Sequence, residues 1–210
     1  MDKKTLEKIT ADYNQHTQKL SEQRKKAALK LNKIISEKMQ LLNMPGGKFA
    51  VNFTERSTPH PNGLEAIEFW VSANPGHPLQ PLAKVASGGE LSRISLAIQV
   101  ATAKNQVTPT LIFDEVDVGI GGKTAAIVGE MLKDLGKITQ VICITHLPQV
   151  AALGDQHLQV IKNTRKNATE VTLANLTPDK RITEIARMLG GVKITPQTIA
   201  HAKEMLNFKS

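Results

Sequence analysis

Asp114 and Glu115 stand side by side at the end of an apolar run, Thr110-Leu111-Ile112-Phe113. Two carboxylates at the C-terminal end of a parallel strand sit where open α/β sheets bind ligands. Alternation along the strand turns the two side chains in different directions. Asp114 could then hold Mg²⁺ through an oxygen or a water while Glu115 faces a nucleophilic water. The plainer reading is an acidic pair on the surface. A second apolar run, Val141 to Thr145, ends in His146. At the same sheet edge that ring could contact a phosphate oxygen or position the attacking water, although such a histidine is more often structural.

Ser87-Gly88-Gly89-Glu90 opens a helix, with Ser87 as N-cap and Glu90 as the N3 residue of a capping box. The two glycines leave the first backbone N–H groups open, and the partial positive charge of a helix N-terminus suits a phosphate. Capping boxes are common, so these four residues alone do not fix a ligand. Gly121-Gly122-Lys123-Thr124 has the last letters of a phosphate-binding loop, G-x-x-x-x-G-K-[ST]. The first glycine of that pattern falls on Asp117, a carboxylate where backbone should cradle an anion. The stretch therefore reads as a turn and helix start, and no other stretch matches the pattern. Cys143 is the single cysteine. It has no second pair at ligand spacing, which argues against a metal site, and it excludes an internal disulfide framework.

These residues need elements to hold them. From Ser87 onward helices and strands alternate: a helix to about Lys104, strand Thr110–Asp114, a helix over about Gly122–Leu135, and strand Gln140–Thr145. That rhythm predicts a parallel sheet flanked by helices. Gln156–Lys162 and Glu170–Leu176 read as closing strands of a meander, and helices near Ile182–Leu189 and Pro196–Leu206 finish the chain. Upstream, Phe49–Phe53 and Gly63–Ala73 read as a strand pair, and 74–86 as irregular.

Residues 1–44 lack Gly and Pro, and carry nine Lys and one Arg against five acids. Stepping by sevens from Leu6 meets Tyr13, Leu20, Ala27, Ile34 and Leu41, all apolar. The companion seam, Ile9, His16, Gln23, Lys30, Glu37 and Met44, is apolar only at its ends. One stripe over six heptads predicts an irregular coiled-coil arm over 1–44, and an amphipathic helix lying on a domain is the alternative. Residues 45–210 would form the globular part. With 210 residues, 40% of them hydrophobic, the chain can bury a real core. Its net charge of +8 favours a polyanionic partner. The reducing environment that a lone cysteine fits, and the lack of any long apolar run, give a cytoplasmic expectation.

Order makes the separate signals specific. Ala86-Ser87-Gly88-Gly89-Glu90-Leu91-Ser92-Arg93 resembles the ABC signature motif, and Leu111-Ile112-Phe113-Asp114-Glu115 resembles a Walker B strand with its catalytic glutamate. Asp117 matches the D-loop position, and Thr145-His146 resembles the switch histidine of the H-loop. Transporter ATPases usually carry Asp-Glu-Ala-Thr here. Asp114-Glu115-Val116-Asp117-Val118-Gly119, Ile144-Thr145-His146-Leu147-Pro148-Gln149-Val150-Ala151 and Glu184-Ile185-Ala186-Arg187-Met188-Leu189-Gly190-Gly191 instead look like the RecN family, SMC-like members of the ABC ATPase superfamily. The resemblance covers about residues 63–206. Gly121, where many relatives would have Ser, is a minor departure.

That resemblance implies an α/β fold: the C-terminal lobe of an ABC-type ATPase head, preceded by the returning coiled-coil helix. It implies ATP and Mg²⁺ as cofactors, with the P-loop on an N-terminal half of the same head. Asp114 would assist Mg²⁺, Glu115 would be the general base, and His146 would hold the γ-phosphate and water. Ser87, Gly88, Gly89 and Glu90 would meet the nucleotide of a second head, and Asp117 would couple the two sites. The intact protein would act on DNA in double-strand-break repair and recombination, with Lys25, Lys26, Lys30 and Lys33 as candidate DNA contacts and no membrane partner. The chain alone would bind Mg-ATP poorly and hydrolyse it negligibly. Two other readings stay open: a non-enzymatic DNA-binding or scaffold lobe with a degenerate site, and the ATPase subunit of a transporter.

Overall fold

A computed structural model describes residues 2–103, 108–165, 168–190 and 194–207. Lys104, expected at a helix end, and Gly191, in the last family string, lie outside the described residues. The chain divides into two compact units, residues 1–101 and 102–210.

The first unit begins with α1 (Lys3–Leu41), an unbroken helix of 39 residues. It stops where Asn43 and Gly46 take left-handed φ values of 63° and 73° around Pro45. β1 (Lys48–Glu55) and β2 (Glu65–Ser72) pair antiparallel from Lys48↔Ser72 to Glu55↔Glu65. The stretch expected to be irregular, 74–86, contains a two-residue strand, β3 (Gln80–Pro81), paired with β2, and a 3-10 turn at Leu82–Lys84. Pro81 is tolerated because β3 is an edge. α2 (Gly88–Thr102) follows.

The face that α1 buries differs from the expected seam. Ala28, Ile35 and Leu42 are buried, whereas Ala27, Ile34 and Leu41 are exposed. The reason is a partner in the same unit. From Tyr13 onward α1 lies on the β1–β2 hairpin, and Met39, Met44, Phe49 and Val71 join Ile35 and Leu42 in the buried set. Polar side chains seal the contact. Tyr13 Oη donates to the His60 carbonyl and accepts the His60 N–H, both at 2.9 Å. Asn32 Oδ1 and Ser36 Oγ accept the N–H groups of Val51 and Phe49, each at 2.9 Å. The exposed edge of β1 is thereby capped by a helix, one way proteins blunt an edge strand. From Tyr13 to its C-cap Leu42 the helix is packed on the hairpin, while residues 2–12 are exposed.

In the second unit β4 (Thr110–Phe113) and β5 (Gln140–Cys143) pair in parallel, from Thr110↔Gln140 to Phe113↔Cys143. α3 (Gly122–Gly136) connects them, and buries Ala125, Val128, Gly129, Leu132 and Leu135, a helical spacing that makes one apolar face. The flanking is one-sided. Phe113 is buried, but Ile112, Ile142 and Ile144, which alternate to the other face, are 67%, 43% and 55% exposed. Parallel strands normally have both faces covered. The short α4 (Pro148–Ala151), which periodicity did not reveal, follows β5.

β6 (Leu158–Arg165) and β7 (Ala168–Asn175) form a separate antiparallel pair rather than closing a meander, and one of their faces exposes Leu158, Val160, Val171 and Leu173. α5 (Pro178–Gly190) and α6 (Pro196–Asn207) share a core of Ala151, Ala152, Ile185, Ala186 and Ala202.

Candidate functional site

The second unit gathers Asp114, Glu115, Asp117, Thr145 and His146 beyond the C-terminal ends of β4 and β5. The parallel register carries on past the strands: the Ile144 N–H donates to the Phe113 carbonyl at 2.9 Å. Both runs therefore deliver their polar ends to one sheet edge.

β4 ends because the chain turns sharply. Glu115 takes φ 57°, a left-handed conformation that costs a non-glycine residue about 1–2 kcal/mol. Asp114 Oδ1 accepts the Glu115 N–H at 2.9 Å and supports that turn. Both carboxylates are exposed. A strained, exposed acid at a strand end is the kind of position where strain serves function. Two residues on, the Ile120 N–H donates to the Asp117 carbonyl at 3.4 Å across Gly119, whose φ of 72° fits the third position of a type II turn. This turn drops Asp117 inward, leaving it 2% exposed.

Asp117 is tied to the β5 end. Its Oδ2 accepts the Thr145 hydroxyl and, at 3.2 Å, the His146 backbone N–H, and lies 3.5 Å from His146 Nδ1. The His146 side chain is 70% exposed. Thr145 Oγ1 also accepts the Leu147 N–H at 3.0 Å, at the start of α4. The far end of α4 is held by Arg181, whose guanidinium donates to the carbonyls of Ala151 and Ala152 at 3.0 and 3.1 Å. Burial lowers the pKa of Arg181, and the nearby Asp155 opposes the shift. Gly129 of α3 allows α4 close: a Cβ there would stand 2.7 Å from Leu153 Cδ1 and 3.3 Å from the Val150 Cα. Thr145, Arg181 and Gly129 are thus positioning residues that sequence reasoning gave no role. Their only signals are a hydroxyl beside the histidine, an arginine in the first turn of a charged helix and a glycine inside a helix.

Burial first, then the Asp117 and Asp114 charges, push the Cys143 thiol up to about 12, so it stays protonated. Among the described residues no three His, Cys, Asp or Glu side chains form a metal-binding group. Gly121 and Gly122 do serve as a helix start, with open space around both.

The signature stretch belongs to the first unit. Ser87 caps α2 by accepting the Glu90 N–H on its hydroxyl at 3.3 Å, and its carbonyl accepts the Leu91 N–H at 2.9 Å. Ser87 and Gly88 are exposed, Glu90 is half-buried and Gly89 is buried, so only the first of the two glycines presents open backbone. One turn on, Arg93 is buried; burial lowers its pKa and the Glu90 charge opposes that.

The four arm lysines do not act as one set. Lys26, Lys30 and Lys33 are exposed and recur at i, i+4 and i+7, one stripe of α1. Lys25 is turned to Glu65 instead, with Nζ 3.7 Å from Oε1.

Comparisons with known proteins extend this picture. The family model described as RecF/RecN/SMC N terminal domain matches residues 3–169. The chain is 53% identical over 189 residues to a DNA repair protein RecN of Vibrio cholerae, covering 90% of this chain and 34% of that protein. Against a DNA repair protein RecN of Bacillus subtilis it is 36% identical over 219 residues, covering 97% of this chain and 38% of the relative. The chain therefore spans about a third of the length of these curated relatives. Among solved structures it is similar to an Smc head domain with a coiled coil and joint from Pyrococcus yayanosii, with a TM-score of 0.55, 20% identity, and coverage of 87% of this chain and 34% of that one. An Smc head domain with an extended coiled coil from Pyrococcus furiosus, bound to the C-terminal domain of ScpA, gives a TM-score of 0.55 at 23% identity, covering 86% of this chain and 44% of that one. Both structural likenesses concern the fold.

Proposed function

This chain belongs to the RecF/RecN/SMC N-terminal domain family, and from that premise we propose that it supplies part of an ATP-hydrolysing head in a RecN-like protein of DNA double-strand-break repair and recombination. The observation that carries the reading is the convergence of Asp114, strained Glu115 and His146 at one edge of the β4–β5 pair.

The residues present suit the cofactors. Two exposed carboxylates match a hard cation and a water proton, and a largely exposed imidazole matches a phosphate oxygen. When bound, Mg²⁺ and ATP supply the phosphoryl group and the charge compensation for its transfer to water. Asp114 would hold the cation through an oxygen or a water. Glu115 would take the water's proton as general base, and His146 would orient water and terminal phosphate. Ser87, Gly88 and Gly89, with Glu90 fixing the helix start, serve the nucleotide of a second head, so turnover requires dimerisation.

The chain carries no G-x-x-x-x-G-K-[ST] string. We assign that cradle to an N-terminal half of the same head, which makes residues 45–210 the C-terminal lobe and 1–44 the root of its coiled-coil arm. The open face of Ile112, Ile142 and Ile144 supports this, because a further sheet layer would bury it. Lys26, Lys30 and Lys33 are the DNA contacts that the arm offers, with Lys25 secondary because it is engaged by Glu65. Such a protein works at the bacterial nucleoid, in the cytoplasm.

The test is turnover by this chain mixed with a matching P-loop half, beside Glu115→Gln and Ser87→Arg. Turnover that appears on mixing and vanishes in both variants is expected. A stable mixture without turnover would replace the ATPase reading with a scaffold.

A further inference from the structure

Away from the β4–β5 edge, the first unit has a cleft of about 600 Å³ between α1 and the β1–β2 hairpin, a volume within the range of small-molecule sites. Glu65 lines it with a side chain only 10% exposed. Its Oε1 accepts the Ser21 hydroxyl, while Oε2 is buried with no hydrogen-bond partner among the described residues. A buried carboxylate oxygen left unpaired is costly, so the site favours a donor that reaches it. The charge around it is one-sided. β1 sets Glu55 directly opposite Glu65 on the same face of the hairpin, and like charges so placed repel. Lys25 lines the cleft too, but does not resolve this. Its ammonium stands 3.7 Å from Oε1, too far for a hydrogen bond, on a side chain 62% exposed, which makes the pair weak.

The walls decide which cation fits. Phe53 and Leu64 add apolar surface, from which a bare metal ion gains nothing. The alkyl stem of an organic cation packs on such surface, and the face of an aromatic ring attracts a guanidinium or ammonium head. Gln18, one turn before Ser21 on the same face of α1, adds an amide oxygen as a further acceptor. We propose that this cleft binds an alkyl cation, an ammonium or guanidinium group on an apolar stem, with Glu65 as its main anchor and Glu55 as its second. The ligand displaces Lys25, whose loose ion pair makes it an internal competitor for the same carboxylate. A basic side chain of a bound peptide and a free polyamine both carry this chemistry. The site lies within one unit and needs neither a nucleotide nor the ATPase reading.

The experiment is a ¹H–¹⁵N NMR titration of the whole chain with acetyl-arginine amide, spermidine and MgCl₂ in separate arms at fixed ionic strength. Saturable shifts of the Ser21, Phe53 and Glu65 amides are expected with an organic probe and not with Mg²⁺. A response to the arginine probe alone assigns the site to a peptide side chain, and a response to spermidine alone assigns it to a polyamine. Glu65→Gln should weaken binding by about tenfold, the scale of one lost charge-assisted hydrogen bond. Glu55→Gln should weaken it by about threefold, and Lys25→Ala should tighten it by a similar factor, as for partly exposed charges. Lys19→Ala, an exposed position outside the cleft, should leave it within about twofold. Glu55 is exposed, so its variant reports on the site even where Glu65→Gln disturbs the packing. No saturable shift with either organic probe would overturn the proposal. So would Mg²⁺ binding more tightly than both, or binding that is unchanged in both glutamate variants.

Discussion

The β1–β2 hairpin and the β4–β5 pair are both small sheets rich in apolar residues, yet their surroundings differ. The hairpin has a helix laid on it, and that helix even accepts the outward N–H groups of Phe49 and Val51. The parallel pair has α3 on one side, while Ile112, Ile142 and Ile144 stay open on the other. The first sheet buries Phe49 and Val71 with α1, although Ile67 and Phe69 stay 42% and 37% exposed. The second exposes what a parallel sheet ordinarily buries, and it is the one that carries Asp114, Glu115 and His146. The proposed chemistry therefore sits on the sheet whose second face is open.

The largest effect expected is on the sealed side. Ile35→Ala should destabilise the chain by about 2–5 kcal/mol, the cost of emptying a closed core position. Ile142→Ala should change it by less than about 0.5 kcal/mol, as for a surface site. Denaturant unfolding of both variants decides this, and equal losses would erase the contrast. Next is a pH effect on the covered side of the parallel pair. Cys143 is held protonated with its pKa pushed up to about 12 from 9.0. The unfolded thiol ionises first as pH rises, so the stability this residue contributes is complete below pH 9 and is lost progressively up to about 12. Cys143→Ala should flatten that part of the stability–pH curve; an unchanged slope would show that the thiol is not shielded.

Much of the open side was legible. Two apolar runs ending in Asp114-Glu115 and in Thr145-His146 fix β4, β5 and the edge where they meet, since only short, apolar, bounded runs read so plainly. The face of α1 was not. Ala27-Ala28, Ile34-Ile35 and Leu41-Leu42 place equivalent residues in two adjacent phases, and a heptad count picks one phase while the hairpin buries the other. The Asp117 tie was equally out of reach, because its partners lie 28 and 29 residues away and nothing in their types announces the pairing. α4 was missed since four residues after a proline show no period.

Two smaller effects sharpen the comparison. Glu115→Gly should relieve the left-handed strain and stabilise the chain by about 1 kcal/mol while removing the proposed base. Destabilisation in a thermal melt would mean that the turn is not strained. Replacing Lys26, Lys30 and Lys33 together with Gln should change stability by less than about 0.5 kcal/mol, because they lie on the solvated stripe of α1. The same change should weaken DNA binding evenly across sequences and reduce its salt dependence. Salt-independent binding would remove the arm from the DNA reading.

The central claim is that the open Ile112–Ile142–Ile144 face seats the P-loop half of the head. Calorimetric titration of that half into this chain, wild type beside the Ile112→Asp/Ile142→Asp variant, tests it most directly. The account predicts a complex with a negative heat-capacity change, the mark of apolar burial, and at least a tenfold weaker one (about 1.4 kcal/mol) in the variant. Undiminished binding by a folded double variant would contradict it and place the docking surface elsewhere.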